Sequence, residues 1–309
     1  MYYSCHLERS EGTVIISIQS ETVKQGRFAT RAAQRFRRVV TAPAYVLKAK
    51  MADTEHRISI TVTYDNNPCE QGLNTNWGFA AFIAGTEKTI LFDTGPPTAN
   101  SLLDNMQKLA IDPDCVEIIV LSHIHGDHTG GLSSFLEKNS NVTIYLPKSF
   151  PTKFKDNARN SGAKIIEVNP VRRKASISKG VKESEQICKN VYSTGQLGKW
   201  IKEQSLIIRT DKGLVVIIGC AHTGILNIMN TVKDPMEDDI FLVIGGFHLE
   251  WATKGRIEKI ISAFKRLGVR YVGPCHCSGH KARSLFEKHF GSNYINMGAG
   301  KVITLTDLR

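Results

Sequence analysis

The chain has 309 residues, 41% of them hydrophobic, enough for one large or two small globular domains with a sizeable core. No apolar run approaches the roughly 18 residues of a membrane-spanning helix, so no membrane partner is expected. A net charge of +11 invites a nucleic-acid reading, but residues 1–50 carry nine Lys/Arg against three acids and residues 148–189 carry eleven against four, leaving −2 elsewhere. Basicity sits in a tail and one insert.

Residues 1–56 read as a basic extension, poorly ordered or targeting. From Lys24 to Lys50 there is no acid, and Arg27, Arg31, Arg35, Arg37 and Arg38 alternate with apolar residues. That composition matches an organelle-targeting presequence; the plainer alternative is an ill-defined stretch upstream of a start at Met51. Residues 57–309 read as one domain. Ile58 to Tyr64 alternates with period two and stops at the turn cluster Asp65-Asn66-Asn67-Pro68. Two further strands are expected from Trp77 to Ile83 and from Thr89 to Phe92, the second ending in Asp93-Thr94-Gly95. Leu102, Leu103, Met106 and Leu109 predict an amphipathic helix over 99–109.

The run Val116 to Leu121 then opens onto Ser122-His123-Ile124-His125-Gly126-Asp127-His128. Imidazole and carboxylate are ligands for zinc, manganese or iron. In an extended strand end His123, His125 and Asp127 would point the same way, and His128, at the turn, would reach a neighbouring position. Two adjacent ions could share this loop. Leaving three imidazoles and a carboxylate buried and unpaired would be costly, which argues against a merely polar turn.

Downstream, a helix is expected near Leu132 to Leu136 and a strand from Val142 to Leu146. The basic insert at about 148–189 centres on Arg172-Arg173-Lys174, either a solvated face or a wall whose cations draw an anionic substrate inward. Ser205 to Ile208 and Leu214 to Ile218 flank the hairpin turn Asp211-Lys212-Gly213. Strands then end in Gly219-Cys220-Ala221-His222, Gly245-Gly246-Phe247-His248 and Gly273-Pro274-Cys275-His276, with a helix from Gly255 to Leu267 between the last two. Four times an apolar strand is followed by a histidine, the pattern of a rigid sheet carrying ligands on its end loops.

The H-x-H-x-D-H run followed by Thr129-Gly130-Gly131 resembles the metallo-β-lactamase superfamily of metal-dependent hydrolases. Tyr64-Asp65-Asn66, Asn76-Trp77-Gly78-Phe79, Leu91-Phe92-Asp93-Thr94-Gly95, Glu203-Gln204-Ser205-Leu206, Gly219-Cys220-Ala221-His222, Gly245-Gly246-Phe247-His248 and His276-Cys277-Ser278-Gly279, in this order, are similar to the branch labelled 7,8-dihydropterin-6-methyl-4-(β-D-ribofuranosyl)aminobenzene-5′-phosphate synthase. The resemblance covers about residues 58 to 305 and implies an αββα sandwich. It implies two divalent ions, zinc or else manganese or iron. His123 and His125, with distal His222, would hold one; Asp127 and His128, with distal His276, the other. Asp93 would accept a hydrogen bond from a ligating imidazole and fix its tautomer. Where the superfamily often carries a bridging carboxylate this chain has Gly219-Cys220, so either Cys220 supplies a thiolate, or His222 substitutes, or the second site is weak.

The implied chemistry is attack by metal-bound hydroxide on a small phosphorylated or carboxylated substrate, with Asp127 and His248 as catalytic candidates and Asn66, Trp77, Arg172 and Arg173 as substrate contacts. The alternatives are a synthase-type transferase, and a binding protein with a degraded site. No aromatic-basic interleaving supports a nucleic-acid partner. The seven cysteines, odd in number and scattered, suit reduced thiols in a cytoplasmic compartment; the Arg-rich tail keeps an organellar one open.

Overall fold

A computed structural model describes residues 2–10, 13–21, 57–98, 100–171, 186–233, 236 and 238–309. The stretch from Lys24 to Lys50 read as targeting, and Arg172 and Arg173, lie outside them. The chain divides into two units, Met1–His56 and Arg57–Arg309. The described part of the first is an antiparallel hairpin of β1 (Tyr2–Ser10) and β2 (Thr13–Glu21), with Ser10 opposite Thr13.

The second unit is two sheets with helices outside. In chain order the first sheet takes β3 (Ser59–Tyr64), β4 (Ala80–Ala84), β5 (Ile90–Phe92), β6 (Ile118–Val120), β7 (Thr143–Pro147), β8 (Lys164–Val168) and β15 (Val302–Thr304), in the spatial order β15-β3-β4-β5-β6-β7-β8. The other takes β9 (Gln186–Cys188), β10 (Val191–Ser193), β11 (Leu206–Thr210), β12 (Gly213–Ile218), β13 (Ile240–Gly246) and β14 (Tyr271–Cys275), ordered β14-β13-β12-β11-β10-β9. The period-two alternation of side chains sorts each strand between two cores. Val215 and Ile217 of β12 pack between the sheets with Ile60, Phe92 and Val120. Leu214, Val216 and Ile218 turn the other way, onto helices. Burial on both faces is why this strand reads as an unbroken apolar run.

The covering helices are α1 (Ser101–Lys108) and α3 (Leu132–Lys138) on the first sheet, through Leu102, Met106 and Phe135. On the other sheet lie α5 (Ile225–Lys233), α6 (Lys254–Arg266) and α7 (Gly279–Phe290), through Ile228, Phe264 and Phe286. The fold is therefore the αββα sandwich that the motifs imply. The Asp211-Lys212 turn is a hairpin, with Thr210 opposite Gly213. Residues 148–168, read as the first half of the basic insert, build α4 (Thr152–Asn160) and β8, whose Lys164–Val168 pairs in parallel with β7. Among the described residues no helix is long and apolar enough to cross a membrane.

Strands β5-β6-β7 of the first sheet and β12-β13-β14 of the other run parallel. The loops after β5, β6, β12, β13 and β14 carry Asp93, the histidine run, Cys220 with His222, His248, and His276.

Candidate metal centre

After β6 the chain stays extended only to His125. It then coils into one helical turn, α2 (Gly126–Thr129), because the His125 carbonyl accepts from His128 N–H at 3.0 Å, Thr129 N–H at 3.1 Å and the Thr129 hydroxyl at 3.1 Å. The extended alternation expected through Asp127 is thus corrected. Asp127 parts from the direction of His123 and His125 and joins His128. Gly130 and Gly131 let this turn press against the loop after Asp93: a side chain on either would strike the backbone of Pro97 or Thr94.

All six candidate ligands converge, in two groups. His123, His125 and His222 offer donor atoms within 4.8 Å of one another, and so do Asp127, His128 and His276. His123 Nε2 stands 3.1 Å from His125 Nδ1 and 3.2 Å from His222 Nε2. His128 Nε2 stands 3.2 Å from His276 Nε2, and Asp127 Oδ2 lies 3.4 Å from both.

The outer partners of these rings fix where their protons sit. His128 Nδ1 faces Asp93 Oδ2 at 2.7 Å, and a carboxylate only accepts. Ser122 donates its hydroxyl to the same oxygen at 2.7 Å, so its Oγ must accept from His123 Nδ1, 2.9 Å away. Asn66 Oδ1, oriented by the Gly78 N–H at 3.0 Å, accepts from His276 Nδ1 at 3.0 Å. Each Nδ1 therefore carries the hydrogen, and each Nε2 turns a bare lone pair inward. Two bare nitrogens and a carboxylate oxygen cannot face one another at 3.2 to 3.4 Å without a cation among them. The donor set fits divalent metal ions.

The electrostatics say the same. Burial opposes a charge on His128, yet Asp93 and Asp127 outweigh it and hold its pKa up at about 10. Burial would raise the Asp127 carboxyl, but the His128 and His276 rings beside it hold it well below the carboxylate range. Without a metal this triad captures a proton instead. In the other triad burial and neighbouring rings keep His123 far below its ordinary value and bring His222 down to about 4, leaving neutral ligands.

Cys220 is buried between the triads: its sulfur lies within 4.8 Å of donor atoms on His123 and His128, one from each. His248 belongs to neither triad. It sits exposed in a left-handed conformation at φ 54, its ring centroid 4.5 Å from that of His222 and its Nδ1 3.7 Å from Cys220 Sγ. A hydrogen bond to Cys277, against the pull of burial, raises its pKa. Of the expected substrate contacts, Trp77 is 46% exposed with its ring 5.0 Å from that of His276. Asn66, half-buried, is engaged with the His276 ring and backbone, where it orients that ring.

Sequence reasoning gave no role to Glu203 and Gln204, which clamp the sheets together. The Glu203 backbone bridges His123, and its buried carboxylate accepts from His222 N–H at 3.0 Å and from Thr223 N–H. Burial, partly offset by those bonds, lifts its pKa to about 7. Gln204 N–H donates to Ser122 O at 2.8 Å while its side-chain amide donates to Leu121 O at 2.9 Å. Their signal in the sequence was the motif Glu203-Gln204-Ser205-Leu206, a charged-polar pair set directly before the apolar strand β11. Asp65 was also missed: fully buried, it accepts the His276 N–H at 3.0 Å.

Comparison with known proteins adds three findings. The model of the metallo-beta-lactamase superfamily matches residues 75–226. The 7,8-dihydropterin-6-methyl-4-(β-D-ribofuranosyl)-aminobenzene-5′-phosphate synthase of Methanocaldococcus jannaschii is 31% identical over 253 residues, covering 71% of this chain and 85% of its own length. The crystal structure of Tm1679, a metal-dependent hydrolase of the β-lactamase superfamily, superposes with a TM-score of 0.62 at 28% identity, covering 80% of this chain and 98% of that one.

Proposed function

Because the chain belongs to the metallo-β-lactamase superfamily, we propose that its two triads hold divalent ions, zinc first among them, and that it hydrolyses a small anionic substrate. The observation that carries this reading is the pair of inward-facing Nε2 atoms on His128 and His276, 3.2 Å apart with Asp127 beside them. Ions bound there would act as Lewis acids on a carbonyl or phosphoryl oxygen and make water nucleophilic near neutral pH.

The chain's own groups would do the rest. His123, His128 and His276 are held in one tautomer by Ser122, Asp93 and Asn66, so the ligand set is preorganised. Asp127 turns one carboxylate oxygen to the triad and keeps the other to orient an attacking water. His248, on the open side beside His222, is placed to hold a proton for the leaving group. Trp77 would cover the substrate over His276, and Arg172 and Arg173 would draw its negative charge.

A second reading, a synthase-type transferase, is favoured by the 31% identity to the M. jannaschii enzyme. The deciding experiment takes zinc-loaded protein and compares an activated phosphodiester and a lactone with a dihydropterin plus ribofuranosylaminobenzene phosphate. Turnover of the first pair alone supports the hydrolase. Condensation of the second pair alone supports the transferase. No turnover of any, with zinc retained, would overturn both.

A further inference from the structure

Cys220 and Cys277 meet across a strand that separates their own. Cys220 follows β12 and Cys277 follows β14, and β13 lies between those strands in the sheet. Strand neighbours are about 4.8 Å apart, so residues two strands away touch only where nothing intervenes. The intervening position is Gly246. A Cβ there would come within 2.8 Å of Cys277 Sγ and 3.2 Å of Cys220 Cα, in addition to striking the Gly219 carbonyl. Through that gap the two sulfurs approach to 3.0 Å, with Cys277 Sγ also 3.5 Å from the Cys220 carbonyl. Both side chains are buried and both thiols are free. Neither belongs to the triads. Cys275, two residues from Cys277, packs into the core between the sheets.

We propose that Cys220 and Cys277 form a dithiol modification site that closes to a disulfide with hydrogen peroxide or a low-molecular-weight disulfide. With peroxide, one thiolate attacks an oxygen and the O–O bond breaks; the second thiolate then attacks the sulfenic sulfur formed, and the S–O bond breaks to release its hydroxyl as water. Two thiols and one peroxide become one disulfide and two waters. With a small disulfide the route runs through a mixed disulfide and releases two small thiols. The two thiols are equally enclosed, at 4% and 3% exposure, and exposed His248, 3.7 Å from the Cys220 sulfur, stands beside the pair. Closure takes from the gap between the triads a thiol whose sulfur reaches donor atoms of both.

The test treats the intact zinc-loaded chain with hydrogen peroxide, blocks remaining thiols with iodoacetamide, and maps tryptic peptides by mass. The expected product is lighter by two hydrogens, with the peptide of Cys220 joined to that of Cys277, and dithiothreitol reverses both changes. Recovery of both cysteines as alkylated thiols would overturn the proposal. So would two added oxygens on either sulfur without a cross-link. In a Cys277→Ser variant the link should vanish and leave a reactive Cys220; a link that moves to Cys275 would show that the gap over Gly246 does not select the pair.

Discussion

Asp93 Oδ2 lies 2.7 Å from His128 Nδ1, with both side chains wholly enclosed. The same carboxylate takes the Ser122 N–H and hydroxyl, each at 2.7 Å, and Ser122 takes the hydrogen of His123. One acid therefore aims a ring in each triad, His128 directly and His123 by relay.

Asp93→Ala should accordingly weaken zinc binding in both triads, each by roughly 10- to 100-fold. Ser122→Ala should weaken only the triad of His123. Competition against a chromophoric chelator reads both constants. An Asp93→Ala protein that loses affinity in one triad alone would break the relay.

His125→Ala and Asp127→Asn should each lower zinc content from two equivalents per chain towards one, and abolish turnover while the fold persists. Elemental analysis beside circular dichroism checks this. Two retained equivalents in both variants would remove these residues from the ligand set.

In metal-free protein the His128 pKa is held at about 10, above its ordinary 6.5. Metal uptake below that pH must displace the proton, so about one proton should leave per chain as the triad of Asp127, His128 and His276 fills. The sign for the metal-free fold follows: stability from this group is complete below pH 6.5 and is lost as pH rises through about 10. Calorimetry in buffers of different ionisation enthalpy counts the proton. Uptake with none released would contradict the facing lone pairs.

Glu203 behaves in the same sense for a different reason, since burial raises it from 4.5 to about 7. In chelator-treated protein its contribution is full below pH 4.5 and is lost as pH rises through about 7, a swing of roughly 3 kcal/mol. Glu203→Gln should flatten urea-unfolding stability across that window and weaken the triad of His222, whose N–H it holds. A variant whose stability profile still parallels the wild type would remove Glu203 as the titrating group.

Much of this was legible in the sequence where one residue type carries one physical demand. An alternating run announced β3, unbroken apolar runs announced β11, β12 and β13, and histidines just past glycine announced the end loops. The helical turn at Gly126 was not, because a carbonyl accepting three donors leaves no periodic trace. Nor was the Glu203 clamp: its partners are backbone N–H groups about 20 residues away, identical in every sequence. Helix α5 did leave a signal, Ile225, Ile228, Met229 and Val232 at helical spacing, hidden by its nearness to His222. The meeting of Cys220 with Cys277 depends on strand order, which spacing along the chain does not encode.

The distances along the chain between triad members carry one more consequence. His123 and His222 are 99 residues apart, and His128 and His276 are 148 apart. An ion in each triad would staple the ends of two long loops. The chain entropy that such closures remove grows only with the logarithm of loop length, and near a hundred residues it reaches about 4–5 kcal/mol. The two ions would then act as rivets between the sheets, and a cell short of metal would lose a shape-holding element along with an activity.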